Sequence, residues 1–229
     1  MEYKNITEGI FLERPNRFVA NILMGKDKLT VHVKNTGRCR ELLVKGARVL
    51  LEESDNPVRK TRYSLVAVYK GNLLVNMDSQ IPNAVAAEAL AKGYIPEIGV
   101  PDYIKREYTY GNSRFDIYYE KDGQKGFIEV KGVTLENDGV VSFPDAPTQR
   151  GRKHLEELIK AKNEGYNAWV LFVVQMKGIK LFKPNSDHDP EFAALLSKAR
   201  KAGVGVLAYD CIVTEKSIVL DEKVPVEIE

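Results

Sequence analysis

The chain has 229 residues, 44% hydrophobic and 29% charged, with a formal net charge of +2 at pH 7. That length suits one large or two small domains with real cores, and the composition excludes extensive disorder. No apolar run approaches the ~20 residues of a membrane span, so no membrane partner is expected. The start, MEYKNITEGIF, has neither a positive n-region nor an apolar h-region, so no secretory signal is expected. Two cysteines, Cys39 and Cys211, make no disulfide framework and no zinc pattern, which points to reduced thiols and a cytoplasmic setting. His32 alternates with valines and His188 precedes a helix start, so neither suggests a metal site.

Residues 1–80 contain five short alternating runs, 18–24, 29–35, 47–53, 63–69 and 73–77, separated by GKDK, the NTGR region, SDNP and KGN. Short strands with such turn signals predict a small β-barrel, for which the OB-fold is the natural candidate. This segment holds 14 Lys+Arg against 9 Asp+Glu, whereas residues 81–229 hold 20 against 23. A basic barrel in front of an acidic domain fits binding to a phosphate backbone. The candidate contacts are Arg14, Arg17, Arg38 and Arg40, with Arg59 and Arg62 beside them and Phe18 and Tyr63 as stacking partners. Phe18 is equally compatible with a place in the core.

The second part, 81–229, begins with IPNAVAAEALAKG, a helix starting near Asn83 and stopping at Gly93. A strand is expected at about 104–110, closed by a Gly111-Asn112 turn. Next comes SRFDIYYEKDGQKGFIEVKGVTL, two β-prone runs flanking Asp122-Gly123. An Asp-Gly pair there signals a hairpin, because a type I′ turn needs positive φ at both central residues. That register sets Asp116 opposite Glu129, with Cβ atoms roughly 5 Å apart, and Lys131 on the same face opposite Arg114. Paired carboxylates at that separation repel unless a cation lies between them. Hard divalent cations take oxygen ligands, so Mg²⁺ or Mn²⁺ is the expected cofactor. Lys131 is suited to hold water or to neutralise developing phosphoryl charge. The competing reading is a surface hairpin with cross-strand ion pairs. Glu129 lies among Phe127, Ile128 and Val130, and a partly buried carboxylate asks for a partner.

FPDAPTQRGRKHLEELIKAKNEG then predicts a helix capped by Asp145, with Pro147 in its first turn and Gly165 at its end. Leu155, Leu158 and Ile159 form its core face. Its early turns carry Arg150, Arg152, Lys153 and His154, the wrong sign for a helix N-terminus unless an anion comes to them. Gln149, Arg150 and Lys153 are therefore candidate phosphate contacts. AWVLFVV (168–174) reads as a strand covered on both faces, followed by a helix at 190–203 and a strand at 204–213.

A helix, a three-stranded meander, a helix and a strand, with Asp116 and then Glu129-x-Lys131 on the second and third strands, resembles the PD-(D/E)xK nuclease core. The expected architecture is α+β or α/β, a small OB-type barrel followed by an αβββαβ domain with a mixed sheet. By that resemblance Glu88 matches the acidic residue such cores often place on their first helix. The Val130 carbonyl becomes a further metal ligand, and Arg114 joins the phosphate contacts. The strings NTGRCRELL, SRFD, EVKGVTL, FPDAPTQRGRKHLEEL and GVGVLAYD are similar to the sugar fermentation stimulation protein (SfsA) family over nearly the whole chain. The resemblance implies an N-terminal OB domain, a PD-(D/E)xK domain, and a description as DNA-binding regulators of sugar, notably maltose, utilisation. Gly132 departs from the family, where Asn is expected; the metal ligands remain. The expected activity is metal-dependent cleavage of nucleic acid, DNA favoured and RNA the alternative. A DNA-binding regulator that never cuts is the second reading. A homodimer is compatible with the sequence and not required by it.

Overall fold

A computed structural model describes residues 1–35, 37–111 and 113–228. Thr36 of the NTGR region and Asn112 of the expected turn lie outside the described residues.

Six strands fill the N-terminal part: β1 (Ile6–Asn16), β2 (Val19–Met24), β3 (Asp27–Val33), β4 (Arg48–Glu53), β5 (Tyr63–Lys70) and β6 (Leu73–Asn76). They pair in the order β3-β2-β1-β4-β5-β6. Parallel pairing of β3 with β5, through His32↔Ser64 and Val33↔Leu65, closes β1–β5 into an OB-like barrel. The five runs of the sequence pattern are β2–β6. The true first strand is β1, and β6 pairs antiparallel with β5 at the end of the sheet. Glu8, Glu13, Arg14 and Pro15 hide β1 by breaking its alternation, and Gly9 sits inside it. A Cβ on Gly9 would lie 2.4 Å from Ile22 Cγ2 and 3.3 Å from the Leu23 carbonyl, so the bare Cα lets β2 close on β1. Phe11, Ala20, Ile22, Val31, Val49, Leu51 and Leu65 fill the barrel and are almost entirely buried.

The C-terminal part runs α1 (Pro82–Ala91), β7 (Tyr103–Tyr110), β8 (Ser113–Lys121), β9 (Gln124–Val133), β10 (Leu135–Asn137), β11 (Val140–Phe143), α2 (Gln149–Asn163), β12 (Asn167–Val174), β13 (Leu181–Pro184), α3 (Pro190–Lys201), β14 (Gly205–Val213) and β15 (Ile218–Lys223). Its main sheet has the order β15-β14-β12-β9-β8-β7. The central strands β9, β12 and β14 are parallel, while β7, β8 and β15 run antiparallel to their neighbours. The expected αβββαβ core is α1-β7-β8-β9-α2-β12. Val85, Ala86, Ala89 and Leu90 of α1 pack with Ile117, Ile128, Val130, Leu171 and Val173. Leu155 and Leu158 of α2 and Phe192 and Leu196 of α3 pack with Phe127, Phe172 and Val174. Strand β12 is thus buried on both faces, as its unbroken apolar run demands.

The two parts are joined by polar contacts. The Asn76 N–H donates to the Gln175 carbonyl at 2.9 Å, and Gln175 Nε2 donates to Asn76 Oδ1 at 2.9 Å and the Asp78 carbonyl at 3.1 Å. Among the described residues no helix is long and apolar enough to cross a membrane.

Candidate active site

The Asp122-Gly123 turn fixes the site. Their φ values are 50° and 75°, as a type I′ turn requires, and the rungs run from Lys121↔Gln124 to Ile117↔Ile128. That is the register expected from the sequence. The pairing ends at Ile117↔Ile128, and Asp116 continues it with its side chain. The Val130 N–H donates to Asp116 Oδ2 at 2.8 Å, and Asn83 Nδ2, from the first turn of α1, donates to Oδ1 at 2.7 Å. The rung expected between Arg114 and Lys131 does not form. Arg114 pairs with Thr109 of β7, and its exposed guanidinium lies 3.5 Å from Glu107.

Glu129 is 2% exposed at the centre of the sheet. Lys131 Nζ donates to its Oε1 at 2.6 Å, and His154 Nδ1 of α2 contacts the same oxygen. Its other oxygen, Oε2, is buried without a hydrogen-bond partner. Burial pushes the Glu129 carboxyl up, but the His154 hydrogen bond and the Lys131 charge outweigh it and hold it below the usual carboxylate range. Asp116 goes the other way. Burial, then the nearby Glu129 charge, raise it, against opposing contributions from the Val130 N–H, Lys131 and Asn83. A buried and a partly buried carboxylate pushed in opposite directions, one with an unsatisfied oxygen, make an all-oxygen donor set suited to a hard divalent ion.

Sequence reasoning missed Asn83 and His154. For His154 the signal was present. It recurs with Gly151, Leu155, Leu158 and Ala161 on the buried stripe of α2 and is itself 6% exposed. Asn83 gave no signal, because nothing local tells that the first turn of α1 meets β8. Glu88, expected as a further ligand, is engaged by other partners. Its oxygens pair with the Met1 amino group at 2.9 Å and Lys92 at 2.7 Å, which hold its carboxyl low. In a second acidic group, Asp210, Asp221 and Glu222 are bridged by Lys177, whose Nζ lies 3.1, 2.5 and 2.7 Å from them.

The start of α2 corrects another expectation. Thr148, not Asp145, is the N-cap; its Oγ1 accepts the Gly151 N–H at 3.0 Å. The anion that the basic first turns require comes in part from within the fold. Asp189, the N-cap of α3, accepts the Thr148 N–H and the Arg152 guanidinium, each at 2.8 Å. Gln149, Arg150 and Lys153 remain exposed on this end of the helix.

On the barrel the structure gathers all four candidate arginines. Arg14, Arg17, Arg38, Arg40 and Lys45 line an open groove of about 530 Å³. Arg14 has a structural task there. Its guanidinium donates to the carbonyls of Gly37, Arg38, Arg17 and Asn35 at 2.5–2.9 Å, so it ties the β1–β2 turn that carries Arg17 to the segment that carries Arg38 and Arg40. Arg38 and Arg40 are exposed, and Arg17 lies 4.9 Å over the ring of Phe18, which is 48% exposed and not core. Arg62 is paired with Glu53 and Arg59 with Ser64, while Tyr63 is buried.

Residues 12–77 match the family model described as the SfsA N-terminal OB domain, and residues 80–217 match the sugar fermentation stimulation protein RE domain. The sugar fermentation stimulation protein homolog of Alkaliphilus oremlandii is 53% identical over 232 residues, covering 99% of each chain. That of Desulfitobacterium hafniense is 54% identical over 229 residues, covering 100% of this chain and 99% of the other. The Pyrococcus furiosus SfsA structure, solved in complex with Ca²⁺, superposes with a TM-score of 0.89 at 29% identity, covering 100% of this chain and 98% of that one. Domain order, strand topology and near-complete coverage agree, and the chain belongs to the sugar fermentation stimulation protein family.

Proposed function

We propose that the chain is a divalent-metal-dependent nuclease, with the barrel holding the nucleic acid and the C-terminal sheet cutting it. The observation that carries this reading is Glu129: a buried carboxylate with Lys131 and His154 on one oxygen and no donor on the other. A buried acceptor left without a partner costs about 1–3 kcal/mol, and a cation removes that cost. Asp116 and Glu129 are the residues that would hold Mg²⁺ or Mn²⁺, with the Val130 carbonyl as a further oxygen. Such an ion supplies Lewis acidity toward a phosphoryl oxygen and an acidified water. The Pyrococcus furiosus relative was solved in complex with Ca²⁺, a hard ion that suits an oxygen-donor site of this kind.

The chain's own residues do the rest. His154 fixes Glu129 Oε1 and so sets the direction of Oε2. Asn83 and the Val130 N–H hold both oxygens of Asp116. Lys131, whose side chain is 14% exposed, donates a hydrogen bond to the attacking water or to charge developing on the phosphoryl oxygens. Gln149, Arg150 and Lys153 present donors at the open end of α2, and Arg17, Arg38 and Arg40 grip the backbone from the barrel. Cys39 and Cys211 are buried, unbridged thiols, which suits a cytoplasmic protein.

Labelled single- and double-stranded DNA and RNA, incubated with Mg²⁺, Mn²⁺ or EDTA, test this reading. Cleavage that requires the ion is expected, with DNA preferred. Tight, salt-sensitive binding without cleavage under either metal would make the protein a DNA-binding regulator.

A further inference from the structure

A polar pocket of about 200 Å³ opens where Asn35 and Gly37 of the barrel meet the C-terminal part, with Gly132, Phe143, Asp145 and Gln175 on its other side. Gly132 follows Lys131 directly and sits opposite Val173 at the carboxyl end of β9. In open α/β sheets, that end of the parallel strands is where ligands are held. Both glycines keep the pocket open. A Cβ on Gly132 would lie 2.5 Å from Gln175 Oε1, and one on Gly37 would lie 2.6 Å from Asp145 Oδ2.

Beside the hydroxyl residues Ser79, Thr134 and Ser142, the pocket presents acceptors. Gln175 is 1% exposed; its Nε2 is engaged by Asn76 and Asp78, and no hydrogen bond reaches Oε1 among the described residues. Asp145 adds a carboxylate. Asn35 Oδ1 is already taken by the Gly37 N–H at 2.7 Å. The Asp145 carboxylate repels a phosphate. A flat ligand with N–H donors along one edge satisfies this set.

We propose that this pocket seats one unpaired nucleobase beside the phosphodiester at Lys131, and that it favours bases with an exocyclic amino group. The proposal rests on the nucleic-acid reading above and goes beyond it. The strand is taken single or frayed, because a base pair does not enter a pocket of this size. A base outside its stack is read by hydrogen bonds along its Watson–Crick edge. Cytosine offers its N4 amino group to a carboxylate, whereas thymine presents an O4 acceptor at that position.

Fluorescence anisotropy with oligo-dC and oligo-dT of equal length, in EDTA so that nothing is cut, tests this. The wild type should bind oligo-dC about tenfold more tightly. Asp145→Asn, at an exposed site and nearly isosteric, should reduce that ratio to about twofold or less. Gly132→Asn, which drives a side chain against Gln175 Oε1, should reduce it too, with a melting curve to confirm the fold. Equal affinity of the wild type for both oligomers, or an undiminished ratio in Asp145→Asn, would overturn the pocket assignment alone. Binding of neither oligomer would overturn this inference, and failure to bind duplex DNA and RNA as well would remove the nucleic-acid reading with it.

Discussion

The barrel and the C-terminal sheet handle charge in opposite ways. On the barrel, Arg17, Arg38 and Arg40 stand in water around an open groove, and only Arg14 is tied into the backbone. In the sheet, Glu129 is 2% exposed, Asp116 is partly buried, and Lys131 and His154 converge on a single oxygen. Exposed cations act additively and are weakened by salt, so any one of them is expendable. Buried groups act in low dielectric through fixed partners, and removing one leaves another unsatisfied. Under the proposed function, affinity would be distributed over the first region and chemistry concentrated in the second.

That division can be broken by substitution. Lys131→Ala should lower cleavage by about 10²–10³-fold, the scale of losing one preorganised electrostatic donor, with oligonucleotide affinity little changed. Persistent cleavage in highly purified Lys131→Ala would move the chemistry elsewhere. Arg38→Glu with Arg40→Glu should do the reverse. Binding should weaken across all sequences, and the slope of log affinity against log salt should fall by about 2, one for each phosphate no longer neutralised. A slope that stays unchanged would mean that the groove is not the backbone-binding surface. The smallest effect is expected at the α2 start. Thr148→Ala should cost about 1 kcal/mol in denaturant unfolding, because Thr148 caps Gly151. The corresponding change Asp145→Asn should cost nothing measurable there.

What was legible in the sequence follows the range of the forces involved. The hairpin register could be read because two turn residues with positive φ, Asp122 and Gly123, set every rung to Ile117↔Ile128. Strand β12 could be read because burial on both faces leaves an unbroken apolar run. The end of the pairing could not be read. Asp116 takes the Val130 N–H with its side chain, a choice that depends on Asn83 arriving from α1. The true cap of α2 depends equally on tertiary contacts, since Asp189 supplies the acid from the next helix. Strand β1 was hidden for a third reason. Gly9 is dictated by close packing on Ile22, and with the Glu13-Arg14-Pro15 run it erases the alternation that marks a strand.

The central claim is that Asp116 and Glu129 form one divalent-ion site, and thermal melting tests it most directly. Without metal at neutral pH, the raised Asp116 carboxyl is a cost to the fold. That cost is absent below its ordinary value of 3.8, grows as pH rises through its elevated folded value, and is complete above it. Asp116→Asn should then melt at or above the wild type in EDTA at pH 7, an advantage that disappears in acid. Adding Mg²⁺ or Mn²⁺ should raise the wild-type melting temperature progressively, approaching about 2.7 kcal/mol of stabilisation at a hundredfold excess over Kd. Asp116→Asn should show no such rise. A wild-type curve indifferent to both ions, or an equal rise in Asp116→Asn, would contradict the claim.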